Sequence, residues 1–349
     1  MNKIKNIITT VQNYRYHDMH KNKALTILSE VEKTKGKLAD SIKQQCDKYA
    51  IEKLGDIKYA PWLYVYSIIR GEFKEGWIPD NYYGKVVLPK CNGISGTPAQ
   101  IKNITSKLFN STLFPDLVCY SSGIFSIPLE NRVLAADEIA DYLFDGRDSV
   151  IFKVNSSNQG RGIFFYTKDN FSITDVMKKG SGIFQKIIKQ HAVFDELFPK
   201  PGATMRLTTV LKPDGTTCLK AAYLRLGVGT DEYVRSATNI RVAIDIETGA
   251  LSDKGYTTEW NEINEHPNTK KAFKGVILPN FAQARASVEE LHSRYPYVQS
   301  IGWDVTINTD NNVEIMEWNA IHNSITFTEA VQGPSFTDLP WCDKSFLSL

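Results

Sequence analysis

The sequence predicts an α+β chain with a helical region at its N-terminus, and three observations carry that expectation. Apolar residues recur at helical spacing through the first 76 positions, β-rich arms flank turn signals from Ser149 onward, and an amphipathic helix precedes an alternating hairpin near the C-terminus. In the first part, Ala24, Leu25, Leu28 and Val31, then Leu38, Ile42, Cys46 and Tyr49, repeat among lysines and acids. Gly36 and Gly55 break the run, and PWLYVYSIIRGEF reads as a buried element. The Lys-rich faces read as solvent faces, with a docking surface for a partner as the alternative. Turn formers crowd between Gly76 and Gly96, which predicts a loop-rich passage. Gln100–Phe109 and Val133–Phe144 then read as helices on either side of the short segment LFPDLVCYSS.

Composition bounds the function classes. The 349 residues suffice for two or three domains, or for one large enzyme with inserted lobes, and 42% hydrophobic content supports packed cores. Lys plus Arg number 41 against 39 Asp plus Glu, spread without a polybasic block, so no footprint for nucleic acid is visible. Five cysteines without a CxxC pair suit a reduced, cytoplasmic chain. The N-terminus lacks the apolar core of a secretion signal, and no run of apolar residues is long enough to span a membrane.

The most informative stretch is IGWDVTINTDNNVEIMEWN, from Ile301 to Asn319. It reads as a β-hairpin; a loop centred on Asp310 and Asn311 sets Asp304 opposite Glu317 and Trp303 opposite Trp318, with Asn319 on the Glu317 side. Like charges directly across a ladder destabilise it by up to roughly 1 kcal/mol, so their retention points to a cation. Carboxylate and amide oxygens suit Mg²⁺, whose remaining ligands are water and phosphate. The alternative is a solvated face on which the acids meet only water.

Other segments fit around that hairpin. In SVIFKVNSSNQGRGIFFY (Ser149 to Tyr166), two β arms flank a loop with Gly160 and Gly162 whose N–H groups can close over an anion, and Lys153 on the first arm can reach a phosphate. GIFQKIIKQH (Gly182 to His191) is strand-like and reads either as an ordinary core strand or as a segment holding a nucleotide base. A hairpin around Pro213-Asp214-Gly215 and a strand ending at Glu247-Thr248-Gly249 carry Arg206, Arg225 and Arg241. Each alone reads as an exposed arginine; three in one cleft would suit a phosphate or carboxylate substrate. Asn280 to Tyr295 is amphipathic and structural, and His322 and Asn323 in the tail receive no role.

In this order, the pieces resemble the ATP-grasp enzymes, in particular the sugar-transfer associated branch related to α-L-glutamate ligases. The resemblance runs from YSIIRGEFKEGWIPDNYYGKVVLPK to Asn319 and rests on ITSKLF, FKVNSSNQGRGIF, FQKIIKQH, TMRLTTV, HPNT, LPNF, IGWDV and EIMEWN. It implies two α+β lobes clasping ATP. Lys107 and Lys153 match the lysines on the α- and β-phosphates, Lys102 lying close to the former. Asn158, Gln159, Gly160, Arg161 and Gly162 match the loop over the γ-phosphate; Gln185, Lys186 and Ile188 match the adenine hinge, where many relatives have Glu at the first position. Arg206 matches the arginine near the reacting phosphate, and Asp304, Glu317 and Asn319 match the ligands of two Mg²⁺ ions, with Mn²⁺ as an alternative. SATNIRVAID lacks the paired glycines of many relatives. The division expected is 1–76 helical, 77–147 linker and pre-grasp, 148–190 small lobe, and 191–349 large lobe with the metal site.

The resemblance further implies a carboxylate–amine ligase that works through an acyl-phosphate and releases ADP and phosphate, in cell-surface polysaccharide synthesis. Its substrates would be a free or sugar-linked carboxylate and an amine, with a glycan-assembly protein as a partner. Catalysis would fall to Arg206, Lys153 and Arg161. The alternatives are a peptide ligase or phosphotransferase of the same fold, and a non-catalytic ATP-binding subunit.

Overall fold

A computed structural model describes residues 2–156, 162–200, 202–229, 238–342 and 346. Three helices open the chain: α1 (Asn2–Lys35), α2 (Asp40–Glu52) and α3 (Ala60–Arg70). The breaks after α1 and α2 fall at Gly36 and Gly55, whose φ angles of +83° and +93° favour glycine. Nearly every residue of α3 is buried, so it forms the centre of the helical region. Among the described residues no helix is long and apolar enough to cross a membrane.

The passage from Gly76 to Gly96, expected as loop, is instead a chain of short helical turns at Asp80–Tyr82, Tyr83–Val87, Leu88–Cys91 and Gly93–Gln100. Interleaved with the turn formers are Trp77, Ile78, Tyr82, Tyr83, Val87 and Leu88, all buried. A buried segment must pair its backbone groups, and helical turns do so locally. The helix expected over Gln100–Phe109 divides into a 3₁₀ turn, Lys102–Ile104, and a helix, Thr105–Phe109. The helix expected from Val133 begins only at Glu138, because Arg132–Val133 is drawn into a sheet edge.

Among the described residues thirteen strands form two sheets. The first contains β1 (Asp116–Ser121), β2 (Ile124–Ile127), β3 (Arg132–Val133), β4 (Ser149–Val154), β5 (Ile163–Thr167) and β6 (Gly182–Lys186), in the order β3-β2-β1-β6-β4-β5. The second contains β7 (Thr204–Leu211), β8 (Thr217–Leu226), β9 (Ile240–Ile244), β10 (Leu251–Tyr256), β11 (Glu262–Ile263), β12 (Ser300–Ile307) and β13 (Val313–Asn319), in the order β11-β10-β9-β8-β7-β12-β13. All of these strand pairings are antiparallel. The chain is therefore α+β with a helical N-terminus, as its sequence predicts.

The second sheet is covered on both faces. Helix α4 (Phe281–Ser293) buries Phe281, Ala284, Val288 and Leu291 in one core with Leu207, Leu224 and Val242. On the opposite face, α1 to α3 and helix α5 (Thr326–Gln332) share a core with Tyr223, Ala243, Tyr256 and Trp260. Alternate residues of a strand share a face, so Tyr223 and Ala243 stand beside Arg225 and Arg241. The N-terminal helices thus flank the charged face of the sheet.

Glu329 of α5 fastens this contact. Fully buried, it accepts the N–H of Ile78 (2.8 Å) and of Ser335 (2.9 Å). Burial pushes its carboxyl up from 4.5 to about 8. Because the folded value lies above the unfolded one, Glu329 favours folding while protonated and progressively loses that advantage as pH rises through this interval. Urea unfolding should therefore show Glu329→Gln gaining a few kcal/mol on the parent between about pH 5 and about pH 8. An unchanged difference would show that Glu329 is charged throughout.

Candidate active site

The acidic hairpin forms with Asp304 paired to Glu317, Trp303 to Trp318 and Gly302 to Asn319. Nearer the loop the register differs by one: Val305 pairs with Ile315 and Ile307 with Val313, leaving Met316 as a bulge. The expected pairing therefore holds at the acids because the bulge resets it. Strand β12 is buried along its length. Trp303 donates to Thr209 Oγ1 at 2.8 Å, and Phe109 packs edge-on against both hairpin tryptophans at 5.2 and 4.9 Å. That contact ties the segment from Lys102 to Phe109 to the back of the acidic hairpin.

On the front face, the Arg206 Nε donates to Asp304 Oδ1 at 2.6 Å and a second guanidinium nitrogen donates to Oδ2 at 3.1 Å. Arg225 from β8 reaches Oδ1 at 2.7 Å. Burial alone would push the Asp304 carboxyl up, but the two arginines hold it well below the usual carboxylate range. For Arg206, burial works against the charge and Asp304 more than compensates, so its pKa is raised. Burial and the charge of Asp304 both push the half-buried Glu317 up, while Lys153 and Lys102 oppose them. A third contact to Arg206 comes from the carbonyl of Asn323, at 3.1 Å. Gly302 makes room for it: an added Cβ would stand 2.5 Å from Asn323 Cβ and 3.3 Å from the Arg206 guanidinium.

These residues open onto a cavity of about 860 Å³, within the usual range of small-molecule sites. Asp304, Glu317, Asn319, Arg206 and Arg225 line one side, and Lys102, Lys153 and Ile163 from the first sheet's side line another. Among the described residues no three His, Cys, Asp or Glu groups gather to hold a metal on their own. Two carboxylates and an amide nevertheless fit Mg²⁺, which completes its shell with water and phosphate. Arginines take three of the roughly four lone-pair directions of Asp304, and the Glu317 side chain lies within hydrogen-bond reach of the same carboxylate. Glu317, raised by a like charge across the ladder, is the group a cation would relieve.

The predicted site residues divide into three groups. Arg206, Lys153, Asp304, Glu317 and Asn319 come together in the cavity. Lys107 does not: it is exposed and donates to Asn131 at 2.6 Å. Five residues of tight helical backbone turn Lys107 to the opposite side from Lys102, and Lys102 is the lysine that lines the cavity. Gln185, Lys186 and Ile188 also lie outside the lining. The Gln185 side chain donates to Asp116 at 2.7 Å and that of Lys186 to Glu314 at 2.6 Å. Asn158, Gln159, Gly160 and Arg161 lie outside the described residues; Gly162 closes the β4–β5 turn by accepting from Val154 N at 2.9 Å. If Lys102 and Lys153 meet the nucleotide, alanine at either should raise the apparent ATP requirement at least about tenfold, while Lys107→Ala leaves it unchanged. Steady-state titration of ATP checks this, and equal effects of Lys102→Ala and Lys107→Ala would contradict it.

Sequence reading missed several cavity residues. Lys23, Ile27 and Trp62 reach it from the N-terminal helices, and His322, Ser324 and Thr326 from the tail. A lone Lys or Trp on an amphipathic helix carries no local signal of this role. Asn323, four residues past the hairpin, is outside the lining and fully buried against Tyr83 and Ser300, with its carbonyl accepting from Arg206.

A family model described as sugar-transfer associated ATP-grasp matches residues 173–340, a little under half of the chain, including most of the second sheet's residues and the acidic hairpin. Over those residues the chain matches the sugar-transfer associated ATP-grasp family, the branch that the resemblance implied. The match does not reach Lys102 or the β4–β5 hairpin. Among solved structures the chain is similar to D-alanyl-alanine synthetase A from Vibrio cholerae O1 biovar eltor str. N16961, at 12% identity over 77% of this chain and 74% of that one, with a TM-score of 0.43. It is also similar to D-alanine–D-alanine ligase from Bacillus anthracis complexed with ATP, at 14% identity over 74% and 70%, TM-score 0.40. A third is the ATP-grasp ligase PsnB complexed with minimal precursor, at 13% identity, 70% of this chain and TM-score 0.40, where the match spans only 62% of the PsnB chain. No curated protein sequence matches the chain.

Proposed function

We propose that the protein is an ATP- and Mg²⁺-dependent carboxylate–amine ligase. What supports the reading is one arrangement: Asp304, Glu317 and Asn319 from the second sheet share a cavity with Lys102 and Lys153 from the first sheet's side. Cationic side chains opposite oxygen ligands suit a polyphosphate with its metal ion. In this reading, Glu317 and Asn319, with Asp304 beside them, hold the magnesium, one ion or two, with manganese as an alternative. The metal supplies neutralisation of the phosphate oxygens. Lys102 and Lys153 hold phosphates, Arg206 orients Asp304, and Arg161 with Asn158, Gln159 and Gly160 belongs to the covering loop.

The chemistry follows from what a carboxylate lacks, a leaving group. One of its oxygens attacks the γ-phosphorus, an O–P bond forms, the bond to the β-bridging oxygen breaks, and ADP leaves. A neutral amine then attacks the acyl carbon; the C–N bond forms, the C–O bond to phosphate breaks, and the amine proton passes to solvent. The protein contributes position and charge rather than a nucleophile. The four-part division at residues 76, 147 and 190, a cytoplasmic location, a polysaccharide acceptor and a glycan-assembly partner belong to the same proposal.

A coupled assay of ADP and phosphate release against a panel of uronic acids and amines tests it. The expected result is release that requires both an acid and an amine, with an amide product containing both. Formation of AMP and pyrophosphate would overturn the mechanism, and a product that gains only phosphate would favour the phosphotransferase.

A further inference from the structure

Behind the acidic pair, the cavity wall carries a second like-charged pair. Arg225 of β8 stands directly opposite Arg241 of β9, and both line the cavity. As with two acids, like charges facing each other across a ladder destabilise it unless something of opposite charge lies between or beside them. Arg225 has such a partner in Asp304. Arg241 does not: among the described residues no carboxylate forms an ion pair with it.

The surroundings of Arg241 hold it in place without neutralising it. Its guanidinium lies over the ring of Trp260 at 4.6 Å and of Phe327 at 5.1 Å. One nitrogen donates to the Thr257 carbonyl at 2.9 Å, while the Nε of Arg241, like that of Arg225, has no hydrogen-bond partner. Glu259 acts on Arg241 only through space, its carboxylate accepting from the Thr258 hydroxyl at 2.8 Å. Burial pushes the Arg241 pKa down to about 10, the direction expected of a cation short of counter-charge. A guanidinium offers five N–H donors in a fixed fork that matches carboxylate and phosphate. Stacking on aromatic faces fixes the plane of that fork and uses none of its donors.

We infer that Arg241, seconded by Arg225, is the anchor of an anion subsite separate from the triphosphate side, and that it takes the carboxylate or phosphate of a small hydroxylated acid. The hydroxyl-binding part follows from the neutral polar lining nearby, Asn239, Thr258, Ser324 and Thr326, with Trp62 closing the space from α3. Identifying this ligand as the second substrate rests on the ligase reading, but the subsite itself needs no nucleotide.

Thermal unfolding of the full chain without nucleotide tests it, at constant ionic strength, with D-glucuronate, D-glucose and inorganic phosphate as probes. Saturating glucuronate or phosphate should raise the Tm by about 2–4 °C, and glucose should not; which anion acts tells carboxylate from phosphate. In Arg241→Met the anion response should vanish, while the Tm in buffer alone is equal to or above that of the parent, since the cation removed has no ion-pair partner among the described residues. Arg241→Lys keeps the charge but not the fork; it should lose most of the response, and it carries the test if the methionine variant does not fold. The inference is overturned if neither anion acts on the parent, if glucose acts as strongly, or if Arg241→Met and Arg241→Lys respond as the parent does. A chain that responds to the anion yet never releases ADP from ATP would sink the ligase reading and leave the subsite standing.

Discussion

Asp304→Asn should destabilise the chain by about 3–5 kcal/mol and abolish turnover. Asp304 is 3% exposed and takes three contacts from Arg206 and Arg225, so the amide would strand two cations in the interior with half their partner's acceptors gone. Urea unfolding measures the loss. Adding Arg206→Met to Asp304→Asn should recover a large part of it, because the double variant no longer holds the more deeply buried charge. If the two effects simply added, the residues would be acting separately and the ion pair would have no part in holding β7 to β12.

Glu317→Gln should behave in the opposite way toward stability. Its carboxyl is pushed up by burial and by Asp304 across the ladder, so removing its charge relieves a repulsion and should leave the Tm equal or higher. Turnover should nevertheless fall by more than about tenfold, since on the proposed reading a ligand charge at the metal has been lost. A stable, inactive protein is the result that sets a metal ligand apart from a structural residue. Rates near those of the parent would remove Glu317 from the site.

Much of this site was legible in the sequence because its key elements are local. The pairing of Asp304 with Glu317 follows from alternation and turn residues within nineteen positions of one another. Even there, agreement depends on the Met316 bulge, which no periodicity announces. Lys153 was legible for the same reason, being on the arm of a hairpin. Lys102 was not separable from Lys107, because the choice depends on where a helical turn starts, and the chain starts it with a 3₁₀ turn at Lys102.

The parts that stayed hidden depend on long-range packing. Turn-forming residues between Gly76 and Gly96 became helical turns once the aromatic and aliphatic residues among them were buried. The Gln185 side chain is bound to Asp116, on a neighbouring strand remote in sequence, a partner that no local pattern announces. The N-terminal helices showed only an amphipathic pattern, and their share in the cavity, Lys23, Ile27 and Trp62, exists because they cover the same sheet face as the charged row.

On the proposed reading, the lysines on the first sheet's side and the acids of the second serve a single triphosphate. A crystal structure of the chain with ADP and Mg²⁺ tests it most directly. Diphosphate oxygens are expected within hydrogen-bond reach of Lys102 and Lys153, with a magnesium ion about 2.0–2.1 Å from oxygens of Glu317 and Asn319. ADP bound elsewhere, or a metal held with Glu317 and Asn319 both facing water, would contradict it.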